Sequence, residues 1–168
     1  NLPYDINSSA ILSAFKQRVI DSFIQKWYSD LDNNQVVLNI LYTSKHIRTH
    51  FGEEQYLATI LCKNTRKNIC RIRISAHDLR IETGRYGRNR IQRSDRLCQL
   101  CNLNVIEDEY HFILVCPCYH DIRKLFFKRY YYTRPCMYKL VQLLQCNNKS
   151  LLLKLGKYLD KANKRRQE

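Results

Sequence analysis

Three cysteines and one histidine between positions 98 and 116 have the residue types and the spacing of metal ligands. Cys98 and Cys101 are separated by two residues, His111 follows after nine more, and Cys116 after another four. Three sulfurs and one imidazole nitrogen match a closed tetrahedral Zn²⁺ site, in which protein atoms fill every coordination position. Such an ion has no position left for water or substrate. We therefore predict a structural zinc that holds together a loop with too little core of its own.

The ligand set has alternatives. Cys118 stands two residues past Cys116 and is a rival for the fourth position, and His120 lies nearby as well. Cys116 is preferred because a thiolate just before Pro117 closes the shorter loop. The acids at positions 107–109 are expected to be helix N-terminal residues that complement the helix dipole, since a carboxylate suits a three-thiolate site poorly.

A second metal site is weighed at two further histidines. His46 and His50 are four residues apart and would share one face of a helix, with Cys62 and Cys70 as further ligands. Arg48 lies between the two histidines, and a basic neighbour favours exposed side chains over ligands. We expect no metal there.

The segment around the first four ligands resembles the zinc-binding region that follows the polymerase domain in non-LTR retrotransposon reverse transcriptases. Members of that family show a basic helix with a central histidine, then R-x-C-x2-C, a glutamate-rich turn and H-x4-C-P. The matching positions here are His77, Arg96, Cys98, Cys101, Glu107, Asp108, His111, Cys116 and Pro117. The resemblance covers about residues 66–130. It implies a C-terminal element of a retroelement polyprotein, or of a host gene derived from one, that contacts nucleic acid.

Catalysis by these residues is not expected. The family's polymerase carries a Y-x-D-D turn, and the nearest approach in this chain, Tyr28–Asp32, lacks adjacent aspartates. No G-x-S-x-G, Gly-rich phosphate loop or H-E-x-x-H motif occurs either, so we expect neither an enzyme nor a small-molecule substrate. We expect a non-catalytic fragment of a larger protein, which can itself be an RNA-directed DNA polymerase.

Basic residues form two blocks that flank the cysteine and histidine segment. The formal net charge of the chain is +14; residues 62–97 carry +8 and residues 117–168 carry +10, whereas residues 98–116 carry −3. A field of this sign attracts polyanions, of which nucleic acid is the usual one. The predicted contacts with RNA or DNA are Arg85, Tyr86, Arg88, Arg90, Arg93 and Arg96. Arginine binds phosphate through its planar fork, and tyrosine stacks on unpaired bases.

Other interpretations of the surface remain open. Tyr130–Tyr132, with Arg129 and Arg134, form either a second nucleic-acid surface or a set of buried aromatic side chains. The basic surface can also be merely solvated. The alternative function is a zinc-stabilised protein-interaction domain that binds no nucleic acid, in which the apolar helix at residues 11–27 packs on a partner.

Hydrophobic periodicity predicts an all-α fold with a Cys-Cys-His-Cys, zinc-knuckle-like segment. The predicted helices lie at about residues 9–28, 35–42, 53–62, 65–79, 108–115, 121–131, 137–144 and 150–163. In these helices Arg73 and Arg123 are placed on solvent-facing sides and Leu125 on a core-facing side. The predicted organisation is an N-terminal helical segment (1–64), a basic helix with the zinc-binding region (65–130) and C-terminal basic helices (131–168).

Features of the whole chain bear on its compartment and origin. No basic region followed by an apolar run opens the sequence, and no apolar stretch is long enough to cross a bilayer. We expect an intracellular protein, nuclear or cytoplasmic, with no membrane partner, whose eight cysteines are thiols or ligands rather than disulfides. The chain begins at Asn1, so we expect a fragment that functions with the remainder of a polyprotein.

Overall fold

The structure is a computed structural model, and it describes residues 9–32, 47, 52–59, 62–86 and 90–167. The chain divides into two compact units, Asn1–Ile40 and Leu41–Glu168. Within the described residues the regular elements are helices, and the one β pairing is an isolated antiparallel bridge between Leu97 and Ile106. The predicted all-α class is confirmed. None of the described helices is both long and apolar enough to span a lipid bilayer.

The first unit contains helix α1, Ser9–Asp32. Apolar residues recur at intervals of three and four along it, as predicted for one helical face. That face lies open to solvent, with exposed fractions between 44% and 66% at Ile11, Leu12, Phe15, Val19, Ile20 and Phe23. The short helix predicted at residues 35–42 lies outside the described residues.

The second unit contains seven described α-helices. They are α2 Gln55–Thr59, α3 Lys63–Arg73, α4 Arg80–Thr83, α5 His120–Phe126, α6 Arg129–Tyr132, α7 Met137–Leu144 and α8 Lys149–Gln167. The unit also contains a π-helix at His111–Val115 and 3₁₀ turns at Arg93–Asp95 and Pro117–Tyr119. Helix α7 has the predicted bounds, and α8 continues beyond its predicted end.

Helix α8 is the element on which the second unit is assembled. Asn148 caps it, since the Leu151 amide donates to Asn148 Oδ1 at 3.0 Å. Helix α8 packs on α3 and on α5. At the crossing with α3, a Cβ added at Gly156 would lie 2.2 Å from Thr65 Cγ2, so this approach requires glycine. Its core-facing side chains are fully buried: Leu152, Leu155, Tyr158, Leu159 and Ala162.

Helix α3 ends earlier than its apolar pattern predicts. The Ser75 amide donates to Ile72 O at 3.3 Å and the Ala76 amide to Arg71 O at 2.8 Å. These are the two hydrogen bonds of a Schellman motif, with Ser75 in the left-handed position at φ 53°. Arg73, predicted to face solvent, is buried: it pairs with Glu54 at 2.6 Å and also donates to the Leu144 carbonyl. Solvent exposure was the wrong prediction because the last turn of α3 packs inside the unit.

The predicted helix at 121–131 is two helices, and two of its side chains face the opposite way. Arg123, predicted to face solvent, has 1% of its surface exposed, whereas Leu125, predicted to face the core, is 68% exposed. The helix breaks after Phe126, where Phe127 is extended. Residue type alone predicts that Arg123 faces solvent. The prediction was wrong because backbone carbonyls in the core on this side accept hydrogen bonds from the guanidinium.

Candidate metal centre

A short hairpin positions the first two cysteines. The Cys98 amide donates to Val105 O and the Glu107 amide to Arg96 O, both at 2.9 Å. Asn104 makes the reversal possible by adopting the left-handed conformation, with φ 51°. This pairing places residues 98–101 in a tight turn at the start of the hairpin loop.

A π-helix positions His111 and Cys116. The Cys116 amide donates to His111 O at 2.7 Å, which is the i→i+5 hydrogen bond of a π-turn. Five residues are about 1.4 turns of an α-helix and would place the two side chains on different faces. The wider π-turn brings them to the same side. Asp108 starts this helix by accepting a hydrogen bond from the His111 amide at 2.8 Å.

The four predicted ligands converge on one point. The sulfurs of Cys98, Cys101 and Cys116 and a ring nitrogen of His111 all lie within 4.8 Å of one another. His111 Nε2 lies 3.4 Å from Cys101 Sγ. A tetrahedral ion with metal–sulfur bonds of about 2.3 Å separates its ligand atoms by roughly 3.8 Å, so the pocket has the size of one ion. All four residues are buried, and the group can hold a metal ion without a coordination site open to solvent.

The electrostatics of the site favour neutral side chains until a cation enters. Burial raises the pKa of the Cys98 thiol, and amide hydrogen bonds from Leu100 and Cys101 to its sulfur oppose that effect. Burial also raises the pKa of Cys116. Desolvation lowers the pKa of His111, which keeps the imidazole neutral and able to coordinate.

The rival ligands lie outside the cluster. The Cys118 thiol donates to Leu100 O at 2.7 Å and is not one of the four grouped residues. His120 packs edge-on against Tyr132, with ring centroids 5.8 Å apart. Cys116 rather than Cys118 therefore completes the group. In the described part of the chain no other cluster of this kind occurs, while His46 and His50 lie outside it.

The site also uses a residue that the sequence pattern assigned elsewhere. Arg123 donates through Nε to Ile113 O and through Nη2 to Cys116 O, both at 2.8 Å. These carbonyls belong to the π-helix and to the Cys116 cap that follows it, the segment that carries two of the four clustered side chains. A divalent ion with three thiolates has a net charge of −1, so the buried guanidinium brings a complementary charge next to it. The spacing of the cysteines gives no signal for this role.

The acids between the ligands have two kinds of role. Asp108 is a helix N-terminal residue, as predicted. Glu107 is buried and forms a bidentate ion pair with Arg166 of α8 at 2.8 and 2.9 Å, and it also accepts a hydrogen bond from the Arg80 amide. Helix α8 is thereby joined to the hairpin that carries Cys98 and Cys101, which we call the metal hairpin.

Glu109 belongs to a buried polar cluster beside the hairpin. Its Oε1 accepts hydrogen bonds from Ser75 Oγ at 2.9 Å and lies 2.8 Å from His77 Nε2. Burial acts to raise the pKa of Glu109, but the bonds from His77 and Ser75 outweigh it, so the pKa lies below its ordinary value. His77 is thus a hydrogen-bonding residue beside the hairpin.

The predicted nucleic-acid contacts separate into two groups. Arg85 pairs with Glu82 at 3.0 Å, and both side chains are largely buried. Arg96 donates to Ile91 O and Ile81 O at 3.0 and 2.9 Å. Arg85 is thus held by an ion pair and Arg96 by backbone carbonyls, whereas the remaining described members, Tyr86, Arg90 and Arg93, are exposed. Arg88 lies outside the described residues.

No protein-family model, no curated protein and no solved structure matches the chain.

Proposed function

We propose that the chain is a structural-zinc, nucleic-acid-binding module from the C-terminal part of a non-LTR retrotransposon reverse transcriptase. The observation that carries the proposal is the convergence of Cys98, Cys101, His111 and Cys116 in one buried, closed group. The order R-x-C-x2-C, acidic turn, H-x4-C-P in the sequence supports the family assignment. The module has no catalytic role and acts with the remainder of a larger protein inside the cell.

Zinc is the metal that fits the donor set best. Thiolate and imidazole ligands with four filled positions are typical of structural zinc, whereas magnesium and calcium require oxygen ligands. Structural zinc in small modules supplies roughly 10–16 kcal/mol of apparent binding energy, comparable with the whole stability of a domain. Loss of the ion should therefore unfold the hairpin and the π-helix together.

Nucleic acid is the partner that the charge distribution favours. Tyr86, Arg90 and Arg93 are exposed and lie just before Cys98 in the chain, and nearby Arg96 donates to the Ile91 and Ile81 carbonyls. The planar guanidinium of arginine is pre-organised, so less conformational entropy is lost for each hydrogen bond that it donates to a phosphate. The exposed tyrosine offers a ring face to an unpaired base.

The first experiment measures metal content in the purified chain. We expect one zinc per chain in the wild type and in Cys118→Ser, and none in Cys116→Ser, whose helical circular dichroism should also fall. Cys118→Ser is the matched control because it alters a thiol two residues away that is outside the cluster. A well-folded wild type without metal would refute the zinc site.

The second experiment titrates labelled RNA and DNA at several salt concentrations. Neutralisation of six phosphates gives a slope of log affinity against log salt of about −5 for a duplex and −4 for a single strand. Arg90→Gln with Arg93→Gln should make the slope shallower by roughly 1.4–1.8. Zinc-loaded protein without salt-dependent binding would contradict the nucleic-acid part of the proposal.

One observation favours the alternative, a zinc-stabilised protein-interaction domain. The apolar face of α1 is exposed over Ile11–Phe23, and such faces commonly pack on a partner. This reading requires no nucleic-acid affinity. Salt-independent capture of a protein by α1, lost in Phe15→Glu but not in Lys16→Glu, would support it.

A further inference from the structure

Helix α8 presents a row of lysines on its outer side. Lys154, Lys157, Lys161 and Lys164 recur at intervals of three and four, which places them within about 80° of arc on the helix. All four are exposed, and the opposite side of α8 is buried in the core. We call these four residues the lysine row.

The lysine row differs from the arginines at the end of the same helix. Arg165 forms a bidentate pair with Asp121 at 2.5 and 2.8 Å, and Arg166 forms one with Glu107. Both arginines hold α8 against the unit. Within the row, Lys164 pairs with Asp160 at 2.9 Å, but this pair is exposed and contributes little. The helix therefore fixes the positions of the four lysines, and the exposed pair with Asp160 leaves most of their positive charge uncompensated.

A groove of mixed polar and apolar lining runs beside the row, between α8 and α3. It encloses about 340 Å³ and is lined by Asn64 and Asn68 of α3, by Lys157, Lys161 and Lys164 of α8, and by Cys62, Phe126 and Asp160. Gly156 and Thr65, which meet at the close approach of the two helices, also line the groove. Amide side chains and ammonium groups provide hydrogen-bond donors for anionic oxygens.

Stability of the helix does not explain the row. Like charges at i,i+3 and i,i+4 destabilise an isolated helix, and the row contains three such neighbouring pairs. Lysines in the last turn complement the helix dipole, but Lys154 and Lys157 lie in the first half of α8, beyond the reach of that effect. A polyanion that neutralises the row would remove the repulsion.

We propose that the lysine row binds the phosphodiester backbone of nucleic acid, as a contact surface additional to the exposed arginines before the metal hairpin. The inference rests on the proposed nucleic-acid-binding function. The row spans about 15 Å, at 1.5 Å per residue, which corresponds to roughly four steps of one strand at 3.4 Å each. Lysine binds phosphate as a point charge, so the surface reads no base sequence.

The test compares two variants of the full, zinc-loaded chain. The row variant carries Lys154→Gln, Lys157→Gln, Lys161→Gln and Lys164→Gln. The control carries Lys16→Gln, Arg18→Gln, Lys26→Gln and Lys128→Gln, which alter exposed residues outside α8. Both lower the formal net charge from +14 by the same amount. Zinc content and circular dichroism confirm that each is folded.

Fluorescence anisotropy with a labelled single-stranded RNA, the matching DNA and a duplex gives the readout. We expect the row variant to reduce the salt slope by about 2.8 for a single strand or 3.6 for a duplex. The control should retain most of the wild-type slope.

The possible results separate the two proposals. Equal slopes for wild type and row variant overturn the role of the row, while wild-type binding leaves the proposed function standing. A control as weak as the row variant also overturns it, because binding then follows net charge alone. Wild type that binds none of the three nucleic acids refutes the proposed function itself. Equally tight, row-dependent binding to polyglutamate or to vesicles of anionic phospholipid would reassign the row to another partner.

Discussion

Replacement of Arg123 by methionine tests whether a buried guanidinium stabilises the metal centre. The side chain is 1% exposed, and its two hydrogen bonds end on carbonyls of the segment that carries His111 and Cys116. Methionine keeps much of the apolar volume but removes the charge and the donors. The Ile113 and Cys116 carbonyls then lose these donors inside the core.

The size of the effect follows from these contacts. Hydrogen bonds from a charged donor contribute about 1.5–3 kcal/mol each, and Arg123→Met removes two of them. We expect Arg123→Met to lower the free energy of unfolding by about 3–5 kcal/mol, which corresponds to roughly 10–20 °C in the melting temperature of a unit of this size. Zinc affinity should fall roughly 10–100-fold, as for other groups that support metal ligands.

Thermal unfolding by circular dichroism in zinc-buffered solution and competition with a chromophoric chelator measure these two quantities. Arg123→Lys separates charge from geometry, because an ammonium keeps the charge but lacks the fork that reaches both carbonyls, so its losses should be intermediate. Arg129→Met is the matched control on an exposed arginine and should stay within about 0.5 kcal/mol of wild type. If Arg123→Met is as mild as this control, the guanidinium has no stabilising role.

Three further predictions concern the thiols and the helix crossing. Cys62 is exposed, and amide hydrogen bonds from Thr65 and Asn64 lower its pKa. A thiol reagent should therefore label Cys62 before the buried cysteines of the cluster. Mass spectrometry of labelled peptides shows the order in which the cysteines react. Burial raises the pKa of Cys98 and Cys116, so zinc binding must displace protons from these thiols. The apparent zinc affinity, measured by chelator competition, should therefore rise with pH below the thiol pKa values and fall towards acid. A zinc affinity independent of pH would exclude thiolate ligands. Gly156→Ala should lower the free energy of unfolding by about 1–3 kcal/mol through contact with Thr65 Cγ2, as measured by chemical denaturation. Thr65→Ser removes that methyl group and should restore part of the loss. An unchanged stability in Gly156→Ala would contradict the close packing.

The metal cluster and the long helices were predictable because their information is local. Two residues between Cys98 and Cys101 suit one turn, and the same chain segment carries His111 and Cys116. Apolar periodicity likewise located α1, α7 and most of α8. The spacing left Cys118 as a rival to Cys116, because the two cysteines are only two residues apart in the chain.

The helix ends and the arginine roles were not predictable from periodicity. The pattern of α3 continues past Arg73, but the Schellman turn at Ser75 ends the helix. Periodicity also treats every arginine as a surface residue, whereas Arg73, Arg85 and Arg123 are held largely inside the unit by carboxylates or carbonyls.

The sequence by itself determined the four side chains that could hold a metal ion, the helical class and the excess of positive charge, because each depends on composition or on residues close together in the chain. The tertiary structure alone decided which basic residues remain exposed. An arginine becomes structural only when folding brings a distant carboxylate or carbonyl within hydrogen-bonding distance, as Glu107 is brought to Arg166 across 59 positions. The lysines of α8 remain on the surface because folding buries the opposite face of that helix.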